Sequence, residues 1–127
     1  MGGDPILIDS FAWLEILKGT ERGRHALEVI RSREKRFTSV LNLYELRYRI
    51  EQLRDAPTAM EFLAAIQAEC GIMPVDETIA LAAGEVKIRH PALGAVDCIL
   101  LATATVHHLQ PVTGDQHFKG MEGVEEI

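Results

Sequence analysis

Between Ala95 and Asp115 the chain reads AVDCILLATATVHHLQPVTGD, and no Lys or Arg occurs from Ala92 to Phe118. From Asp97 to Val106 the residues are apolar or small on every side of a 3.6-residue period, which predicts a helix buried on more than one face. The helix is expected to begin at Asp97, turn near Leu109 and Gln110, and lead into a strand through Val112 that ends at Asp115. A helix followed by a short turn and a strand runs antiparallel to that strand. Asp97 and Asp115 should therefore be neighbours, with no local cation from Lys or Arg to offset them. A bound divalent cation is one answer.

The rest of the chain repeats the alternation. Pro5–Ile8, followed by Asp9, reads as a short buried strand; Ser10–Leu17 has helical spacing and Gly19 is a plausible stop. A second helix is expected over Arg22–Arg33 and a strand over Phe37–Val40. Asn42 is a good N-cap for a helix whose inward stripe is Leu43, Leu46, Ile50 and Leu53, with Glu45 in its first turn. Ala56-Pro57-Thr58 opens the next helix, with Gly71 as its stop. Ile72–Val75 reads as a strand at an edge because of Pro74, a helix through Ile79 and Val86 follows, and Val124 and Ile127 suggest a short edge strand. Strands alternating with helices of this length imply an α/β fold with a parallel sheet.

In such a sheet the strand C-termini share an edge with the N-termini of the following helices, where ligands bind. Asp9 and Asp115 end strands, while Glu45 and Asp97 lie in first helical turns. All four acids should converge. Each has a plain structural explanation: Asp9 or Asp97 capping a helix, Asp115 stabilising the turn before His117, Glu45 pairing with Arg49. Together, however, four carboxylates at one edge raise one another's pKa unless a cation intervenes. Oxygen ligands of this kind suit Mg²⁺ or Mn²⁺, and phosphodiester hydrolysis is the chemistry such a site best supports.

Length and composition bound the alternatives. The 127 residues, 47% hydrophobic, fit one domain with its own core. No apolar run spans a bilayer and no signal-peptide pattern is seen, so a soluble, cytoplasmic protein is expected. Cys70 and Cys98 lack metal-binding or CxxC spacing and read as core thiols; the adjacent His107 and His108 make a poor bidentate site. The net charge of −6 is uneven, since Lys18–Arg54 holds ten basic and five acidic residues and the remainder three basic and fourteen acidic. That asymmetry allows one basic face on an acidic protein.

The segments ILIDSFAWLEIL, FTSVLNLYEL, AVDCILLATA and PVTGDQHF, in this order over nearly the whole chain, resemble those of PIN-domain ribonucleases, particularly the VapC-type toxins of prokaryotic toxin–antitoxin pairs. The resemblance implies a single PIN domain over residues 1–127, a three-layer sandwich with a central parallel sheet of four to five strands flanked by helices. It also implies Mg²⁺- or Mn²⁺-dependent cleavage of RNA, a homodimer, and neutralisation by a small antitoxin. By the same resemblance Asp9, Glu45, Asp97 and Asp115 occupy the family's catalytic and metal positions, supported by Ser10, Ser39 and Thr113. Asp9 and Asp97 would hold the principal cation. Arg22, Arg24, Arg47 and Arg49 are candidate contacts to the RNA backbone, and Trp13, Tyr44 and Tyr48 candidate dimer contacts. Gly114 is a departure, as the family often has a bulkier or basic residue there. The competing reading is a catalytically inactive PIN-like binding or regulatory module that captures a basic partner. A haloacid-dehalogenase-like phosphatase needs a second Asp two positions after the first, where this chain has Phe11, and a response-regulator receiver needs an acidic pair that is missing.

Overall fold

A computed structural model describes residues 3–127. Five parallel strands, β1 (Ile6–Ile8), β2 (Arg36–Ser39), β3 (Gly71–Met73), β4 (Gln110–Thr113) and β5 (Glu125–Glu126), form one sheet in the order β3-β2-β1-β4-β5. Six helices cover it: α1 (Ser10–Lys18), α2 (Glu21–Arg31), α3 (Val40–Leu53), α4 (Ala56–Glu69), α5 (Glu77–Arg89) and α6 (Ala95–His107). Both edge strands fall where the sequence pattern placed them.

The period-two geometry of β1 divides the interior into two cores. Ile6 and Ile8 point into a cluster with Trp13, Ala26, Leu46, Ile50 and Ile66 from α1 to α4. Leu7 points the other way, into a cluster with Ile79, Cys98, Leu100 and Phe118 from α5, α6 and the tail. The result is the expected three-layer sandwich. Both cysteines are free and buried. No helix among the described residues is long and apolar enough to cross a membrane.

Several boundaries differ from the sequence reading, each for a local reason. The α3 helix starts at Val40 rather than near Asn42, because Ser39 is the cap: its Oγ accepts from Leu41 N at 3.1 Å, and Asn42 Oδ1 reaches back to Ser39 N at 3.1 Å. Asn42 is thus the return arm of a capping box. Leu53 leaves the inward stripe and is half exposed. The α6 helix begins at Ala95, capped by Gly94 without a side-chain hydrogen bond, so Asp97 sits inside the first turn and does not cap. Gly71 does not stop α4; Cys70 does, and Gly71 opens β3 where a Cβ would lie 2.7 Å from the Phe37 ring. The second helix spans Glu21–Arg31 and the third strand ends at Met73, ahead of Pro74. Tyr44 and Tyr48 are exposed, whereas Trp13 is core.

One close approach fixes how α1 meets α2. A Cβ on Gly23 would lie 2.1 Å from Glu15 O, so only glycine lets the first turn of α2 rest against the end of α1.

Candidate active site

The strand order reverses between β1 and β4, since the chain moves outward from β1 through β2 to β3 and then resumes on the other side of β1. In open α/β sheets the crevice for ligands lies outside the carboxyl ends of the strands at such a switch point. Asp9 follows the last residue of β1, and Asp115 lies two residues past β4. The buried Asp9 is also the N-cap of α1, with Oδ1 accepting from Ser10 N at 2.7 Å. Its other oxygen, Oδ2, accepts from Thr113 Oγ1 at 2.6 Å. Thr113 Oγ1 in turn accepts from Asp115 N at 3.1 Å, so one hydroxyl holds both strand ends.

A polar network buried beneath the edge keeps β1, β2 and α3 in register. Asn42 Nδ2 donates to Ser10 Oγ at 2.9 Å, and Thr38 Oγ1 donates to the Ile8 carbonyl at 2.7 Å. Trp13 Nε1 donates to Thr38 Oγ1 at 3.3 Å. Ser10 and Thr113 therefore act on the site through hydrogen bonds, and Ser39 acts through the cap of α3. Asn42 and Thr38 belong to the same support and escaped the sequence reading, which took Asn42 for a cap alone.

Asp97 and Asp115 meet within ligand distance, and Glu45 and Asp9 lie close enough that the charge of Glu45 acts on both Asp97 and Asp9 and that of Asp97 on Asp9. Burial pushes Asp9 up to about 7, and the charges of Asp97 and Glu45 push it the same way, against the hydrogen bonds from Thr113 and Ser10. Asp97 is raised to about 6, by burial first and then by the charges of Asp115 and Glu45. Glu45 is partly offset by Arg49, its Oε2 3.8 Å from Nη1, so the pairing expected at i+4 forms at the rim of the site.

His117 is the residue the sequence reading missed. Asp115 caps the turn over Gln116–Phe118 by accepting from His117 N at 2.9 Å, and the same Oδ1 lies 2.9 Å from His117 Nδ1. The imidazole also lowers the pKa of Asp97. No Lys or Arg lies between Ala92 and Phe118, as the sequence showed, and the group closest to the two acids is an imidazole two positions past the strand-end acid. Ligand atoms of Asp97, Asp115 and His117 all lie within 4.8 Å of one another. Two carboxylates and an imidazole that close suit a divalent cation, with carboxylates favouring Mg²⁺ or Mn²⁺ and the imidazole tilting the set toward transition metals. The raised pKa of Asp97 fits the same conclusion, because a cation there would offset both the burial and the neighbouring charges that raise it.

A family model of the PIN domain matches residues 6–124. The chain belongs to the PIN-domain family. No curated protein matches it in sequence. Among solved structures this PIN domain is similar to VapC20 of Mycobacterium tuberculosis, a Sarcin-Ricin loop cleaving toxin, with a TM-score of 0.80 and 21% identity over 94% of this chain and 97% of that one. It is similar to a toxin–antitoxin complex from Klebsiella pneumoniae, with a TM-score of 0.76 and 21% identity over 96% and 99% of the two chains. A DNA-bound VapBC from Salmonella typhimurium gives 0.74 and 18% over 97% and 96%. At these identities the likeness concerns the fold, and the roles of individual PIN-domain acids rest on the geometry above.

Proposed function

We propose that this PIN domain is a VapC-like, metal-dependent endoribonuclease that hydrolyses RNA phosphodiester bonds at Asp9, Glu45, Asp97 and Asp115. The observation that carries the reading is the convergence of these carboxylates at the topological switch point, with Asp9 and Asp97 both raised by burial first and by neighbouring acids second. Asp97 and Asp115, flanked by His117, would hold the Mg²⁺ or Mn²⁺, in place of the Asp9–Asp97 pair the resemblance implied, with Asp9 beside them. When bound, the cation supplies positive charge for the reacting phosphate and lowers the pKa of a nearby water. The chain's own residues do the rest. Thr113 and Ser10 fix the orientation of Asp9, and His117 fixes that of Asp115. Glu45, paired at the rim with Arg49, would orient the attacking water and accept its proton.

The same reading gives the chain a small antitoxin as partner and the cytoplasm as its place of action. It is supported by the toxin–antitoxin complexes that share the fold. Homodimerisation is supported by the exposed stripe Val40, Tyr44 and Tyr48 on α3, in which the two tyrosine rings lie 5.5 Å apart.

Cleavage of a single-stranded RNA with Mg²⁺ or Mn²⁺ tests the mechanism, comparing wild type with Asp9→Asn and Asp97→Asn. Wild type should cut, and each variant should lose roughly 10²- to 10⁴-fold in rate. Equal cutting by all three would identify a contaminating nuclease and end the proposal. An inert wild type would favour the non-catalytic module.

A further inference from the structure

Beside the acids a second cleft opens, with a volume of about 620 Å³, lined in part by Phe11, Arg22, Arg49, Gly114, Asp115 and Lys119. Its size falls within the roughly 300–1,000 Å³ of ordinary small-ligand sites. Because Asp115 belongs to both, whatever occupies this cleft lies next to the reacting position. The cleft carries three cations where the site is acidic: Arg22, Arg49 and Lys119 line it with the His117 imidazole, against Glu126 and Asp115.

The cations are not equivalent to others on the surface. Arg24 is held by Glu21 at 2.7 Å and by Glu28 at 3.4 Å, and Arg47 pairs with Glu51, all along their own helices. Arg22 and Lys119, among the described residues, make no ion pair, and both are exposed. Of the four arginines singled out from sequence, Arg22 and Arg49 line the cleft, Arg49 while also pairing with Glu45 at 3.8 Å, and Arg24 and Arg47 pair along their own helices. The Arg22 guanidinium carbon lies 5.6 Å from the centroid of the Phe11 ring, so a cation and an aromatic face form one platform.

Gly114 makes that platform possible. A Cβ there would lie 2.7 Å from Phe11 Cε1 and 3.0 Å from Ile127 Cγ1. A larger residue at this position would push Phe11 out of the cleft wall. The departure noted in the sequence thus shapes a surface of this chain's own.

Arg22 and Lys119, without an ion pair among the described residues, beside a stacking platform match the two halves of a nucleotide, a phosphate and a base. A paired base cannot reach such a platform, so the ligand is single-stranded. We propose that this cleft is the subsite for the nucleotide adjoining the scissile phosphate of a single-stranded RNA, its phosphates held by Arg22, Arg49 and Lys119 and its base stacked on Phe11 and Arg22. This assignment rests on the ribonuclease reading of the neighbouring acids.

The probe is a fluorescein-labelled six-nucleotide single-stranded RNA of mixed sequence, followed by anisotropy in EDTA and, with Mn²⁺, by steady-state cleavage. The double variant Arg22→Ala/Lys119→Ala should bind about tenfold or more weakly, and its plot of log affinity against log salt should flatten by roughly 1.4, the value for two phosphates on a single strand. Its KM should rise more than its kcat falls. Phe11→Leu should weaken binding without changing that salt slope, and Arg24→Ala should behave as wild type. Circular dichroism checks that each variant is folded. If wild type cleaves and the double variant matches it in affinity and slope, the subsite is refuted and the nuclease stands. If wild type neither binds nor cuts, the nuclease reading falls and takes the subsite with it. Stronger displacement by a polyglutamate peptide than by unlabelled RNA would overturn the assignment in favour of an acidic protein segment.

Discussion

The Thr113 hydroxyl donates to Asp9 Oδ2 at 2.6 Å, a bond between residues 104 apart in the chain and at the ends of two adjacent strands. The same oxygen accepts from Asp115 N, so the spacing between the two acids depends on one side-chain atom.

Thr113→Val keeps the shape of the side chain and removes the hydroxyl. A hydrogen bond to a charged group contributes about 1.5–3 kcal/mol, and residues that orient metal-binding groups change activity by roughly 10- to 100-fold. The variant should fold, lose cleavage rate in that range, and show its acid limb at higher pH, because this bond lowers the pKa of Asp9. Rates across a pH series check it; an unshifted profile at wild-type rate would show that Thr113 does no positioning.

Stability should depend on pH with a definite sign. An acid whose pKa rises on folding keeps its proton longer in the native state than in the unfolded chain. Between its ordinary 3.8 and about 7 the native protein therefore binds more proton at Asp9, and stability falls as pH rises through that window. Asp97 adds a slope of the same sign between 3.8 and about 6. Below the window both states are protonated at these groups, and above it both are ionised. In EDTA the melting temperature should be higher at pH 5 than at pH 7.5, and Asp9→Asn should remove most of that difference. Mn²⁺ should raise the pH 7.5 value of wild type more than that of Asp97→Asn. A wild type more stable at pH 7.5 than at pH 5 in EDTA would contradict the assignment.

Two glycines should respond to alanine with opposite signs. In Gly23→Ala the new methyl meets the Glu15 carbonyl, which is backbone and cannot swing aside, so α1 and α2 must part at a cost of about 1–3 kcal/mol or more. Gly84, inside α5, has open space around it, and alanine there should stabilise by up to about 1 kcal/mol. Urea denaturation of both variants decides; equal shifts would mean that the contact at Gly23 does not govern the packing.

The alternation of strands and helices, both edge strands and the meeting of the four acids were legible in the residue order, because each follows from periodicity and from the rule that one edge collects strand ends and helix starts. Asp9, Glu45 and Asp115 show that structural and chemical readings coexist, as the first caps α1, the second pairs with Arg49 and the third caps a turn. Asp97 is not the N-cap of its helix, which is Gly94, but the Gly94 backbone hydrogen-bonds to its carboxylate and lowers its pKa. What escaped depends on neighbours distant in the chain. Asn42 looked like a helix cap because its reach to Ser10, 32 residues earlier, has no local signature. His117 looked like an ordinary turn residue, and only the fold brings its ring toward Asp97.

The innermost strand is also the first in the chain. Ile6 pairs with Arg36 on one side and with Gln110 on the other, so β1 cannot find its second neighbour until most of the polypeptide exists. Chains dominated by such distant pairings close late in folding. During synthesis the four acids therefore stay dispersed along a growing chain, and they can meet only once Asp115 has emerged and β4 has paired with β1.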